Sequence, residues 1–316
     1  MKRAFTLISL LLFVALQTVA QSPKTAEDYN NRGLERQAKG DLDGAIDDYT
    51  KAVQLKAKPS TLATAYNNRA NALMIRNDLD GAIADYGKAA ELEPANDEHP
   101  YNRGIARLMK GDNDGAVADF TRVIALLPDH AAAYNHRGNA RRAKGDTEGA
   151  IADYSKAVQF RPLYAEAFYN RGAARQLKDD FNGAIEDYSK AIELAPQFSD
   201  AFVNRGLAKQ GKKDFEGAIA DFTEALKIKP DDAGTYFARA TARHEAKQLD
   251  AAVADYTKVI ELDPLNAQAF ANRAVIEMLQ SKKAEAERDF EQAFKLDPSL
   301  KPQYSRFIEG QRTKPN

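Results

Sequence analysis

Eight arginines recur along the chain: Arg32, Arg69, Arg103, Arg137, Arg171, Arg205, Arg239 and Arg273. Each stands sixteen residues before an aspartate, in turn Asp48, Asp85, Asp119, Asp153, Asp187, Asp221, Asp255 and Asp289. A guanidinium offers a planar fork of donors that matches a carboxylate, so this spacing reads as one ion pair made eight times. A second cation follows four residues after six of the arginines, as Arg36, Arg107, Arg141, Arg175, Lys209 and Arg243, one helical turn along the same face. A buried guanidinium without a partner is costly. The equal counts therefore point to a structural ladder, such as Arg137 with Asp153. A basic stripe recruiting an acidic ligand is the functional alternative.

Directly before six of the arginines stands an asparagine: Asn31, Asn68, Asn102, Asn170, Asn204 and Asn272. His136 and Ala238 take the other two places, and Asn71 and Asn139 add amides three residues on from this register. A carboxamide accepts and donates hydrogen bonds, which suits gripping the backbone of an extended peptide at regular spacing. Tyr101, Tyr169 and Phe237 precede this register by one residue, and Met74, Leu108 and Met278 follow it by six. Aromatic side chains beside amides are the usual make-up of a binding surface; packing between neighbouring segments is the alternative for some of them.

Other chemistry finds little footing. His99, His130, His136 and His244 form no metal-ligand spacing on one helix, and adjacent carboxylates such as Asp47–Asp48 do not face each other on a helix. The chain has no cysteine, which excludes disulfides, thiolate metal sites and a cysteine nucleophile. No phosphate-cradling glycine loop or serine elbow occurs. The expectation is a non-enzyme with no cofactor and no metal. Its 45 basic residues against 46 acidic ones lack the basic excess expected of a nucleic-acid partner.

The first twenty residues differ in kind. Lys2 and Arg3 precede an uncharged, mostly apolar run from Phe5 to Leu16, and Thr18 and Ala20 supply small residues before Gln21. This pattern reads as a signal peptide over 1–20, cleaved after Ala20, followed by a short linker over 21–25. The apolar run is short against the ~20 residues a membrane span needs; an uncleaved anchor is the alternative. The expectation is a periplasmic or secreted protein with no stable membrane insertion after cleavage.

What positions these side chains is a repeat. Ala82, Ala116, Ala150, Ala184, Ala218, Ala252 and Ala286 are each 34 residues apart, and Ala45 precedes Ala82 by 37, with three extra residues near Lys56–Thr61. With this alanine as position 20, position 24 is always aromatic, from Tyr49 to Phe290, and position 8 is always glycine or alanine. Small residues at 8 and 20 let two helices cross closely, and the ring at 24 fills the space beside the crossing. Position 32 is proline in seven copies, Pro94 to Pro298, and ends a helix. Gly40, Gly111 and Gly145 at position 15 suit a left-handed helix end. Aspartates at position 16, including Asp41 and Asp146, suit an N-cap.

With an aromatic at position 4 in seven copies, these features make the chain resemble the tetratricopeptide repeat family over residues 26–298. The resemblance implies an all-α, right-handed superhelical α-solenoid of eight helix pairs, about one superhelical turn. The copies run approximately over 26–62, 63–96, 97–130, 131–164, 165–198, 199–232, 233–266 and 267–300. Residues 301–316 form a capping helix and tail, the helix built around Leu300 to Glu309 with Tyr304 and Phe307. Arginine at position 7 departs from the family, which has a large apolar residue there. In similar proteins positions 2, 5, 6, 9, 12 and 13 point into the concave face, so the amide and aromatic set becomes a candidate peptide groove; asparagine at position 6 is also a family habit. The two-carboxylate clamp of chaperone-binding relatives is absent, since no lysine stands at position 5 or 2 and no arginine at 6. The reading is an exported scaffold for an unidentified protein or peptide. Assembly or self-association through the convex face or the ends is the alternative.

Overall fold

The computed structural model describes residues 23–312, and among them every regular element is helical. The chain forms two compact units that divide between His99 and Pro100. The first holds two helix pairs, α1 (Ala26–Ala38) with α2 (Leu42–Gln54) and α3 (Pro59–Ile75) with α4 (Leu79–Leu92). The second begins within α5 (Glu98–Lys110) and continues through α6 (Asn113–Leu126), α7 (Ala131–Ala143), α8 (Thr147–Phe160), α9 (Ala165–Gln176) and α10 (Phe181–Leu194). Then come α11 (Ser199–Gly211), α12 (Phe215–Ile228), α13 (Ala233–Glu245), α14 (Leu249–Leu262), α15 (Ala267–Leu279) and α16 (Lys283–Leu296). A single 3-10 turn (Pro298–Leu300) leads into α17 (Lys301–Arg312). The signal-peptide expectation falls on residues outside those described.

Within each unit, helices pack on their neighbours in chain order, which is the all-α solenoid of paired helices. The pairing follows from the small and aromatic periods. A Cβ placed on Gly138 would lie 2.6 Å from the Tyr154 ring, and one on Gly206 would lie 2.7 Å from Phe222. Ala150 and Tyr154 are both fully buried beneath that crossing. First helices also approach one another, α1 with α3 in the first unit and α7 with α9, α9 with α11 and α11 with α13 in the second. They therefore share one side of the stack.

The turn inside each pair is equally specific. The Asp146 carboxylate accepts from the Gly149 amide at 2.9 Å, and five other pairs repeat this cap. A side chain at the glycine would collide with the carboxylate: a Cβ on Gly149 would meet Asp146 Oδ2 at 2.2 Å. Where position 16 is not aspartate, at Gln248 and Lys282, position 19 is no longer glycine but Ala251 and Glu285, and the side-chain cap is missing.

Two helix bounds add detail to the sequence reading. The three extra residues extend the second pair's first helix, since α3 starts at Pro59 rather than near residue 63; proline is well suited to a first helical turn. The terminal helix runs over Lys301–Arg312 and places Tyr304 and Phe307 against Ala274, Met278 and Phe290.

Candidate functional site

The arginines and aspartates are brought together in all eight pairs. Arg137 donates to Asp153 through Nε at 2.9 Å and Nη2 at 2.7 Å, and Arg171 to Asp187 with the same two distances. Equivalent forks join Arg32 to Asp48, Arg69 to Asp85, Arg103 to Asp119, Arg205 to Asp221, Arg239 to Asp255 and Arg273 to Asp289. The second cation closes on the same carboxylate, as Arg141 on Asp153 at 2.8 Å and Arg175 on Asp187 at 2.9 Å. Its Nε in turn faces the capping aspartate, Arg141 to Asp146 at 3.8 Å. Two cations and two anions thus alternate along the edge of each such pair. Burial pushes the Asp48 carboxyl up, but the hydrogen bond and charge of Arg32, with the charge of Arg36, outweigh it and hold the group below its usual value.

In seven of the eight pairs the guanidinium at position 7 also covers an aromatic ring, Arg239 over Tyr236 at 5.3 Å and Arg137 over Tyr134 at 5.4 Å, a favourable cation–π placement. Its third nitrogen reaches back to the preceding pair: Arg137 donates to Thr121 Oγ1, Arg171 to Ser155 Oγ and Arg239 to Thr223 Oγ1. The arginines join the two helices of a pair and also tie one pair to the last.

The amides have a different fate from the one expected of a peptide grip. Asn68 donates to Asn30 at 2.9 Å, Asn170 to Asn135 at 3.0 Å and Asn204 to the Tyr169 hydroxyl at 2.8 Å. In each case position 6 of one pair meets position 5 of the pair before it. Asn170 is buried, so it presents nothing to a ligand. Asn272 donates to Tyr256 and accepts from Tyr304. Asn71 and Asn139 accept from the hydroxyls of Tyr86 and Tyr154. Asn31 is exposed and Asn102 half-buried. The position-5 asparagines Asn30, Asn67 and Asn135, all buried, escaped the sequence reading because their acceptor role shows only when two first helices are side by side.

The aromatic candidates are partly buried. Tyr101 lies 5.1 Å from the His130 ring and 5.8 Å from Phe120 and from His136. Tyr169 packs 4.7 Å from Phe198, and Phe237 stands edge-on to Tyr256 at 5.4 Å. Burial lowers the affinity of His136 for a proton, which keeps the ring neutral at neutral pH. His130 is an N-cap, its Nδ1 accepting from Ala133. Met278 is buried.

What the first-helix face does offer is an open pocket of about 340 Å³ between α7, α9 and α11. Arg142, Gln176, Leu177, Phe181, Tyr188 and Asn204 line it. Leu177 stands 66% exposed at its rim. Exposed Met109 and Leu207 carry apolar surface to other first helices. These positions, 9, 12 and 13, were legible as groove positions, but Arg142 and Leu177 carried no periodic signal. Among the described residues no cluster of histidines and carboxylates suits a metal ion, and no helix is long and apolar enough to cross a membrane.

Comparison with known proteins agrees with this architecture. Profiles described as tetratricopeptide repeat match residues 27–59, 63–96, 165–198, 199–232 and 237–300, and one described as TPR repeat matches 138–179. The chain belongs to the tetratricopeptide repeat family, whose fold is a scaffold for binding proteins. No curated protein matches the sequence. Among solved structures, the C-terminal part of a TPR repeat-containing protein from Cytophaga hutchinsonii is 22% identical. That match covers 72% of this chain and 94% of that one, with a TM-score of 0.63. MamA is 28% identical over 54% of this chain and 94% of its own, with a TM-score of 0.50. YrrB, described as a TPR protein with an unusual peptide-binding site, is 23% identical over 57% and 92%, with a TM-score of 0.53.

Proposed function

We propose that the protein is an exported, non-catalytic scaffold that holds a peptide segment or protein surface on the first-helix face of its second unit. The observation that carries this reading is the open pocket between α7, α9 and α11, where an exposed leucine, an aromatic ring and polar groups converge. The position-6 asparagines contribute chiefly by fixing the spacing of the first helices, so contact with a partner falls to positions 9, 12 and 13. A photo-crosslinking residue at Leu177 is expected to capture a partner that the same residue at Lys190, on a second helix, does not. Equal capture at both places would rule out the first-helix face.

Export rests on residues 1–20; N-terminal sequencing of protein from the cell envelope is expected to begin at Gln21, and an intact Met1 would favour an anchor. The second reading, assembly or self-association, draws on Leu163 and Leu265, which stand 77% and 76% exposed between pairs. Sedimentation across a concentration series distinguishes it, since self-association raises the mass with concentration.

A further inference from the structure

We infer that the pocket between α7, α9 and α11 recognises the side-chain carboxylate of an acidic residue in a peptide that passes along the first-helix face, with Arg142 as its anchor. This inference rests on the function proposed above and adds the chemistry of what is held.

Arg142 stands apart from the arginines of the ladder. Those at positions 7 and 11 close on aspartates, whereas Arg142, at position 12, has no ion-pair partner among the described residues. It is exposed, and its charge acts on the phenols of Tyr154, Tyr169 and Tyr188 around it. No carboxylate lines the pocket. An unpaired fork of five donors in an open pocket fits a planar anion.

The other polar groups there point the same way. The Tyr188 hydroxyl donates to Gln176 Oε1 at 3.0 Å, which occupies the amide's acceptor and leaves its NH₂ outward. The Asn204 NH₂ gives one hydrogen to the Tyr169 hydroxyl and keeps the other. Burial pushes the phenols of Tyr154, to about 12, and of Tyr188 upward, so both stay protonated at neutral pH. The Gln176 acceptor is taken up internally, and the Arg142 guanidinium with one amide hydrogen of Asn204 is left to dominate the pocket's charge. Such a pocket rejects a cation and favours an anion.

Beside these donors, Leu177 and Phe181 supply apolar surface for a neighbouring side chain. The first-helix face continues past the pocket, with exposed Met109 on α5 and Leu207 on α11. A peptide can therefore run through, and its carboxylate comes from a side chain rather than from a chain end.

The test uses the full chain and three labelled octapeptides read by fluorescence anisotropy. One alternates leucine and glutamate and is blocked at both ends. The second replaces glutamate by glutamine, and the third is the glutamine peptide with a free C-terminal carboxylate. The glutamate peptide is expected to bind about tenfold more tightly than its blocked glutamine counterpart, a factor appropriate to one charge-assisted contact. Arg142→Gln is expected to abolish that preference, and Arg142→Lys, which keeps charge but loses the fork, to retain part of it. Circular dichroism checks that both variants fold. Equal binding of the two blocked peptides overturns the carboxylate inference while leaving the groove in place, as does a preference that survives in Arg142→Gln. A gain confined to the free-carboxylate peptide overturns the side-chain assignment. Failure of every peptide to bind removes the inference and the groove reading together.

Discussion

The aspartate at position 23 is the residue on which each pair's charges converge. Asp153 holds Arg137 and Arg141 at once, so its loss strands two guanidinium groups in a largely buried setting. Asp153→Ala is expected to lower unfolding free energy by about 3 kcal/mol, measured by urea denaturation. Arg137→Ala leaves Arg141 on the carboxylate and is expected to cost less, about 1–2 kcal/mol. Equal, negligible losses would mean that the network carries no stability. The last pair has Glu277 where six other pairs carry the second cation. Burial, aided by the charge of Asp289, pushes the Glu277 carboxyl up, and its Oε2 has no hydrogen-bond partner. Because the folded state holds this proton more tightly than the unfolded state, its contribution is full below the ordinary carboxylate value. It is lost as pH rises through the raised one. Wild type is therefore expected to lose stability relative to Glu277→Gln between acid and neutral pH, seen in melting temperatures across that range. A constant difference would contradict the assignment. The ladder was legible in the sequence because both partners recur at one spacing inside one pair. The fate of the asparagines was not: the acceptors of Asn68, Asn170 and Asn204 lie about a whole repeat away, and for Asn204 and Asn272 the acceptor is a tyrosine hydroxyl whose direction depends on packing.

At the scale of the helix pair, the turn joins capping and charge. An aspartate at position 16 caps the second helix and faces the Nε of the second cation, and it needs glycine three residues on. The α13–α14 pair lacks both, having Gln248 and Ala251, so Arg243 Nε has no position-16 carboxylate to pair with, whereas Arg107 Nε lies 3.4 Å from Asp112. Gln248→Asp combined with Ala251→Gly is expected to restore cap and contact and to stabilise by about 1 kcal/mol, read by chemical denaturation. Gln248→Asp alone is expected to gain less, since the Ala251 methyl occupies the carboxylate's place. A larger gain from the single change would show that the glycine is dispensable. The existence and order of the helices followed from the alanine, aromatic and proline periods. The early start of α3 did not, because three inserted residues can enlarge a loop or lengthen a helix, and only Pro59 at its first turn selects the second outcome.

At the scale of the molecule, pairs within each unit bury their apolar sides against their neighbours, and the final pair is closed by α17. Phe307 packs on the cluster of Met278 and Phe290. Phe307→Asp is expected to unseat that helix and to speed amide hydrogen exchange in α15, α16 and α17. Exchange in α7 to α10 should hardly change, because stability in stacked repeats is set between neighbours. Loss of protection throughout would instead indicate one cooperative body. Many links between pairs run backward along the chain: Asn68 to Asn30, Arg137 to Thr121 and Lys144 to Asp114 each join a later donor to an acceptor made earlier. Asn135, by contrast, donates forward to Tyr164 and Glu166. During synthesis, N-terminus first, a newly emerged pair within a unit meets a docking edge that already exists. Growth can proceed like crystal layers on a seed, with only a few side chains, such as Asn135, waiting for residues still unmade.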